Sequence, residues 1–346
     1  MSEDNGSHLR LPDHRVGFIT SADVAERAGV SRSAVSRTFT PGASVSPTVK
    51  RKVLAAADEL GYRVNRLARG LISARSNLVG IVCADLETPF TGRLLSHITT
   101  ALSQRGMNAL VIEFSENEED LRDAIIRILE YRVESIVMLS GSPSVSIIRE
   151  CVANGVKPIL VNGDTTVSGA FSVVSDDFTG AAKAADRLVA AGHRHLAVVA
   201  SASSTPVQQR RTMGFVKRAE TLGLTATITL NGPVSYESGV AGAHALFGTR
   251  LDQRPDGVFC TSDVLAAGFL DALRTTYGLQ VPDDVSVIGF DDLPQAAWEN
   301  YRLTTLRQNP VDMSRAILAA IRNIDGSADR SVVVDVTLVD RESVRA

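Results

Sequence analysis

At 346 residues, 44% of them hydrophobic and 22% charged, the chain has apolar material for one small domain and a larger one of ordinary size. No apolar stretch approaches the ~20 residues that a membrane-spanning helix needs. The three cysteines, Cys83, Cys151 and Cys260, form no CxxC pair and sit beside apolar runs, which excludes a disulfide scaffold and suits buried thiols in a reducing cytosol. Residues 1–15 are polar, carry Asp, Glu and Pro, and have no signal-peptide core, so a disordered tail and a cytoplasmic location are expected.

In chain order, the first predicted helix covers Ala22 to Ala28, with Val24, Ala25 and Ala28 on its apolar face. Gly29 supplies the left-handed conformation that a helix end needs. Ser31 is a good N-cap for a second helix, Arg32 to Phe39, on which Val35 and Phe39 share one face by i, i+4 spacing. Arg32, Ser33, Ser36 and Arg37 are left for something outside the domain. Two helices joined by so short a glycine turn form the helix-turn-helix unit, whose second helix enters the DNA major groove. Ser46 and Pro47 then start a third helix to about Leu60, with Val49, Val53, Ala56, Ala57 and Leu60 near helical spacing. Residues 16–76 hold ten Lys/Arg against four Asp/Glu, a net +6 in a chain whose total is −3. A basic module on an acidic body binds phosphate locally without coating itself in nucleic acid.

From Asn77 onward, apolar strands alternate with amphipathic helices. The run Leu78–Ala84 is continuous, as in a parallel strand covered on both faces. Strands at 109–114, 135–139 and 158–161 and helices at 93–104, 118–130 and 145–154 complete one α/β half. A second series follows from about Phe178, with helices to 191 and at 207–222, 236–247 and 264–277, and strands at 196–200, 226–230, 257–260 and 285–290. This order predicts two doubly wound parallel sheets with a cleft between them, lined by loops that follow strands.

The segments DVAERAGVS (23–31), AVSR (34–37), VSPTVKRKVLAAADELGY (45–62) and NRLARGL (65–71), with their spacing, resemble the headpiece and hinge of the LacI/GalR family of transcriptional regulators. Weaker body motifs in matching order are AGHRHL (191–196), RTMGF (211–215), TSD (261–263), IGFDD (288–292) and LTTLRQ (303–308). The resemblance covers essentially everything after residue 15. It implies a small all-α helix-turn-helix headpiece (16–62), a hinge helix and linker (63–76), and a two-lobed core over 77–346 like a periplasmic binding protein. The N-lobe would take about 77–176 and 308–326, and the C-lobe about 177–307 and 331–346, with the final strand Val332–Val339 in the C-lobe.

Residue by residue, the resemblance makes Arg32, Ser33 and Arg37 base readers. An arginine fork to guanine O6 and N7 contributes about 1–3 kcal/mol of discrimination. Thr20, Ser36, Thr38 and Ser46 are candidate phosphate donors. Asn65 to Ile72 would be a hinge helix that folds when two copies meet in the minor groove. There Ala68 lies at the helix contact, Arg66 and Arg69 reach phosphate or groove floor, and Leu71, four residues after Leu67, wedges between base pairs. Val64 stands where the family usually has proline, which would preset φ for helix entry.

In the core, Arg211 matches the family's ligand-holding arginine. Asp85, Thr88, Pro89 and Phe90 follow the first strand, where an aromatic wall is usual. Asp263, Asp291 and the single tryptophan, Trp298, follow later strands. Carboxylates and a guanidinium beside an aromatic face are the parts of a sugar site. Asn162 and Gln308 are further candidates. The same residues also have structural readings: Asp263 as a helix N-cap, Asp292 as a turn cap, Trp298 as lobe packing.

No P-loop, Gly-x-Gly-x-x-Gly after a strand or His-Glu-x-x-His is present. His193 and His195 read as part of a helix end, and the neighbouring pairs Asp176–Asp177 and Asp291–Asp292 as side chains that point apart. Neither a cofactor nor a metal is expected. A homodimeric, ligand-responsive repressor on palindromic operator DNA is the reading these residues favour. A ligand receptor with a silent headpiece and an α/β enzyme on a sugar or nucleotide are the rivals; salt-steep binding to a specific duplex would exclude the first, and absence of turnover the second.

Overall fold

The computed structural model describes residues 19–40, 42–64, 76–84, 86, 88–115, 117–139, 143–163, 167–203, 205–248, 250–322 and 331–346. The tail, Asp85 and the hinge positions Asn65, Arg66, Leu67, Ala68, Arg69, Leu71 and Ile72 lie outside the described residues. The chain divides into two compact units, Met1–Ser76 and Asn77–Ala346.

The first unit has three helices, α1 (Ser21–Ala28), α2 (Arg32–Phe39) and α3 (Pro47–Glu59). Each begins at a hydroxyl cap: Thr20, Ser31 and Ser46 accept from backbone N–H groups of the first turn. Thr20 forms a full capping box with Asp23. Gly29, at φ 64°, ends α1 and returns its N–H to Ala25 and Glu26. The left-handed φ is why glycine stands there. Val24, Ala25, Val35, Val53, Ala56 and Ala57 are buried together, with Phe39 and Tyr62 tilted against each other at 5.6 Å.

The second unit contains two six-stranded sheets. In chain order its elements are β1 (Leu78–Cys83), α4 (Pro89–Ser103), β2 (Asn108–Glu113), α5 (Glu118–Leu129), β3 (Ser135–Met138), α6 (Val145–Ala153), β4 (Lys157–Val161) and β5 (Phe171–Ser175). Then come α7 (Asp177–Ala190), β6 (Leu196–Ser201), α8 (Pro206–Thr221), β7 (Ala226–Asn231), α9 (Tyr236–Phe247), β8 (Gly257–Cys260), α10 (Asp263–Tyr277) and β9 (Ser286–Phe290). The last are β10 (Thr304–Gln308), α11 (Pro310–Arg322), β11 (Ser331–Val334) and β12 (Val336–Val339). Strand order is β11-β5-β4-β3-β1-β2 in the N-lobe and β12-β10-β9-β8-β6-β7 in the C-lobe. Each sheet is covered by apolar clusters on both faces, as near-continuous apolar strands require.

Three features differ from the sequence expectation. The single strand expected over 332–339 is two, one in each sheet, with the chain crossing between lobes at Asp335. β12 runs antiparallel to β10, so the C-lobe sheet is mixed rather than wholly parallel. β5 and β10 are short strands that end at the first two crossings, next to Asp176 and Asn309. They lack the long apolar run that marks a central strand: β5 reads FSVVS and β10 TTLRQ.

Helices α9 and α10 cross in direct backbone contact. A Cβ added at Gly239 would strike the Leu265 carbonyl, and one at Gly268 the Tyr236 carbonyl. Neither obstacle is a flexible side chain, so the helices would have to separate. Gly268→Ala is therefore expected to destabilise the core by about 1–3 kcal/mol, as overpacking does. The urea midpoint would show it; an unchanged midpoint would mean the helices part at no cost.

His193, fully buried, follows α7 with both ring nitrogens lacking a hydrogen-bond partner. Burial lowers its pKa, against the opposing pull of Asp256, whose Oδ1 lies 3.6 Å from Nδ1. The folded state thus favours neutral imidazole, while the unfolded chain takes a proton near pH 6.5. Its contribution to stability should be complete above about pH 6.5 and fall as pH drops toward the lowered folded value. Comparing urea midpoints of the parent and His193→Phe at pH 5 and 7 would reveal this, because the variant should lose less on acidification.

Candidate DNA-binding helix and effector cleft

On α2, Val35 is buried against the other two helices while Arg32, Ser33, Ser36 and Arg37 are exposed. Arg32 and Arg37 make no ion pair with another described residue. One face of the helix thus carries two guanidinium groups and two hydroxyl side chains, of which Ser33 contacts the capping Ser31 at 2.9 Å. Two hydroxyls expected to contact phosphate are otherwise engaged. Thr20 donates to Asp23 Oδ2 at 2.8 Å as part of the α1 cap, and Thr38 donates to the Ala34 carbonyl at 2.8 Å. A phosphate contact from either would first have to break that bond. The sequence signal was present for Thr20, since the Thr-x-x-Asp spacing is a capping box.

The core's polar cluster lies where strands of both lobes end and helices begin. Arg211, on α8, is almost wholly buried. Its Nε donates to Asp177 Oδ1 at 3.0 Å, and its Nη1 donates to the Thr261 carbonyl at 2.8 Å and lies 3.1 Å from Asp291 Oδ1. The guanidinium stands 3.7 Å from the Phe290 ring centre. Burial works against the charged guanidinium, but Asp291 and Asp177 outweigh it and raise the pKa. A buried ion is tolerated only with such pairing.

Asp177 is the first residue of α7, where the unpaired N–H groups of the helix favour negative charge. Its second oxygen accepts from Arg210 at 3.1 Å. Arg210 also donates to the carbonyl of Asn162, at 3.2 Å, the residue after β4 in the other lobe. Asp291 has φ 116° and Asp292 φ 50°, conformations that L-residues rarely adopt and that concentrate at functional sites. The Asp291 carboxylate accepts from Gln308 at 2.6 Å and Ser262 at 3.1 Å; that of Asp292 lies 2.6 Å from both Arg307 and Arg341. The paired aspartates therefore serve two separate cationic sites. Burial raises the Asp291 pKa, opposed by Arg211. For Asp292 burial is outweighed by the two arginines and the pKa is lowered.

Of the residues singled out in the sequence, Arg211, Asp291 and Gln308 meet directly, and Asp263 lies beside them. Ser262, rather than Asp263, caps α10. Asp263 is buried, receiving Thr305 Oγ1 at 2.5 Å and the Leu293 N–H at 2.7 Å. Phe90 belongs to the N-lobe core cluster, which also takes in Leu293 from the C-lobe. Trp298 stands 56% exposed after the turn Pro294–Ala297. Asp177, Arg210 and Ser262 were not singled out for the cleft. For Asp177 the signal was a carboxylate beside a crossing; the doublet Asp176–Asp177 splits between capping α7 and binding arginine.

Two family signatures match the chain: "Bacterial regulatory proteins, lacI family" over residues 20–65 and "Periplasmic binding protein-like domain" over residues 185–344. The transcriptional regulator MalR of Streptomyces coelicolor is 32% identical over 87% of this chain and 88% of its own length. The chain belongs to the LacI family. The catabolite control protein A of Priestia megaterium is 27% identical over 85% of this chain and 89% of its own. Among solved structures, a lac repressor dimer bound to operator and the anti-inducer ONPF superposes with a TM-score of 0.87 at 24% identity, covering 95% of this chain and 100% of that one. The regulator CelR with cellobiose does so at 0.66 and 26% identity, over 94% and 99%. The relatives are transcription regulators, so this is a LacI-family DNA-binding regulator and not an enzyme. Among the described residues no helix is long and apolar enough to cross a membrane.

The chemistry of Asp263 gives a pH prediction. Burial, then the charge of Asp291, raise its pKa well above the ordinary carboxyl value, against the hydrogen bonds from Thr305 and Leu293. Its favourable contribution as a neutral acid is full below about pH 3.9, the unfolded value, and is lost as pH rises through the folded one. Asp263→Asn stays neutral throughout, so it should gain stability relative to the parent as pH rises from about 5 to 8. A difference in urea midpoint that stays constant across that range would show that Asp263 is already ionised at its lower end.

Proposed function

We propose that the regulator is a repressor that binds palindromic operator DNA as a homodimer and is controlled by a small, sugar-like molecule between the core lobes. The observation that carries the DNA half is the exposed α2 face, Arg32, Ser33, Ser36 and Arg37, over a buried Val35. Two arginines near the start and end of one short helix suit base-edge readout, with the serines too short to choose strongly between bases. A two-fold dimer would read two half-sites; the similar lac repressor is seen as a dimer bound to operator.

The effector half rests on Arg211 of α8 with Asp291 and Gln308 at the ends of β9 and β10. CelR holds cellobiose, and a LacI-family regulator from Enterococcus faecium holds ribose. A guanidinium and carboxylates offer donors and acceptors to the vicinal hydroxyls of such molecules. A ligand bound there shifts operator affinity only as far as it distinguishes the lobe arrangements that do and do not bind DNA. The coupling is reciprocal: an inducer must itself bind more weakly to the DNA complex.

Selection of duplexes from a random pool with the full-length protein tests the reading. A palindromic consensus should emerge, with affinity falling steeply as salt rises, each neutralised phosphate adding about −0.9 to the log–log slope. Arg32→Ala and Arg37→Ala should each relax preference at one position per half-site by about 1–3 kcal/mol. No enrichment at low salt, with a panel of mono- and disaccharides or without, would replace this reading by that of a receptor.

A further inference from the structure

Seven residues at the junction of the lobes form a closed circuit of hydrogen bonds and ion pairs. The Ser175 N–H donates to Asn162 Oδ1 at 2.9 Å, and Ser175 Oγ donates to Gln308 Oε1 at 2.7 Å. Gln308 Nε2 donates to Asp291 Oδ1 at 2.6 Å, which Arg211 Nη1 approaches at 3.1 Å. Arg211 and Arg210 take one oxygen each of Asp177, at 3.0 and 3.1 Å. Arg210 returns to the Asn162 carbonyl at 3.2 Å and closes the ring. Asn162 and Ser175 are N-lobe residues at strand ends, Gln308 sits at the second crossing, and the other four belong to the C-lobe.

Two features make the ring more than a set of contacts. Asn162 is held at φ 56°, with its side chain engaged by Ser175 and its carbonyl by Arg210. Arg210 is the circuit's one direct donor from a C-lobe helix to an N-lobe backbone atom. Asp177 is wholly buried, so its charge depends on both arginines, and what one of them loses the other must make good. Through that shared carboxylate a change at Arg211 reaches Arg210 over two charge-assisted bonds and Asn162 over a third. Opposite runs a separate tie: Arg93 on α4 donates to the carbonyl of Asp292 at 2.7 Å, and this tie does not pass through Asp177.

We infer that Asp177 and Arg210 are positioning residues that couple occupancy at Arg211 and Asp291 to the angle between the lobes. The coupling half rests on the effector reading above; the latch half, Arg210 on the Asn162 carbonyl, does not. A hydroxylated ligand that takes a donor of Arg211 or an acceptor of Asp291 re-aims the Arg211–Asp177 pair. Arg210 then follows Asp177, and its hold on Asn162 strengthens or fails according to which way the carboxylate turns. Ser175 and Gln308 carry the same displacement to the two strand ends beside the crossings.

The test uses electron–electron distance measurement on the full-length protein, spin-labelled at Glu130→Cys in the N-lobe and Glu220→Cys in the C-lobe. Both positions are exposed, and the native cysteines are buried. Arg210→Met should shift the interlobe distance to longer values and broaden it, Arg210→Lys should restore part of the narrow distribution, and Asp177→Asn should behave like Arg210→Met. Arg218→Met, on the same helix as Arg210, removes an ion pair with Asp186 of α7 within the C-lobe and should leave the distribution as in the parent. If Asp177→Asn fails to fold, Arg210→Met decides alone. A distribution for Arg210→Met identical to that of the parent, even with a lowered melting temperature, would overturn the latch. Ribose and cellobiose at saturating concentration then test the coupling: a sugar that shifts the parent but moves Asp177→Asn or Arg210→Met equally would overturn it. The ligand-free distances need no operator or effector, so failure of the regulator reading leaves that result standing, and failure of the latch leaves operator selection untouched.

Discussion

The core is organised around one buried carboxylate shared by two neighbouring guanidinium groups. Asp177 has no solvent, so its charge must be met from within the protein; at the start of α7, Arg210 and Arg211 supply its ion pairs among the described residues. Consecutive residues on a helix point about 100° apart, so a single acceptor that reaches both has to sit at the helix edge between them. That position is reached because α7 starts there, its N-terminus packed against α8 so closely that a Cβ at Gly214 would strike the Phe178 carbonyl. Glycine at 214 and aspartate at 177 are therefore two halves of one requirement: the helices must touch for the carboxylate to bridge the arginines.

The same economy governs the end of β9. Two successive left-handed residues turn the backbone sharply enough that neighbouring aspartates face different partners, Asp291 toward Arg211 and Gln308, Asp292 toward Arg307 and Arg341. Left-handed conformations for non-glycine residues cost about 1–3 kcal/mol each. Here the charge-assisted bonds on both sides over-determine the turn. The carbonyl of Asp292 and the side chain of Leu293, immediately after it, both belong to the contact with the N-lobe. A strained turn that holds a polar cluster on one side and a lobe contact on the other transmits displacement from one to the other, because it has little slack.

How much of this was legible in the sequence follows the range of the interaction. The headpiece was readable almost to the residue, since caps, the Gly29 turn and helical spacing are local: α2 and the start of α3 fall where Ser31, Ser46 and Pro47 place them. The βα alternation was readable for strands with apolar runs and failed for β5 and β10, whose mixed sequences are stabilised by neighbours far along the chain, while the expected strand over 332–339 was found but split between the two sheets. Motif matching brought out Arg211 and Asp291. It missed Arg210, because nothing local says that an arginine beside a ligand-type arginine will reach a carbonyl 48 residues away in another lobe. Aromatic residues are placed by the volume they must fill, which local sequence does not specify. Phe90 went to the N-lobe core and Trp298 to the surface.

The balance of charge at the cluster also bears on what the proposed cleft can recognise. Arg211 is not an open cation: two carboxylates already lie within 3.1 Å of it. An anionic effector would meet those carboxylates as well as the guanidinium, and would have to displace one of them, either breaking the Asp291 ion pair with Arg211 or leaving buried Asp177 to Arg210 alone. A neutral molecule with several hydroxyls faces no such cost. It can donate to a carboxylate and accept from the guanidinium at once, exchanging hydrogen bonds one for one while the ion pairs remain. If Arg211 holds the effector as proposed, the way it is held favours uncharged, hydroxyl-rich ligands before any particular sugar is considered.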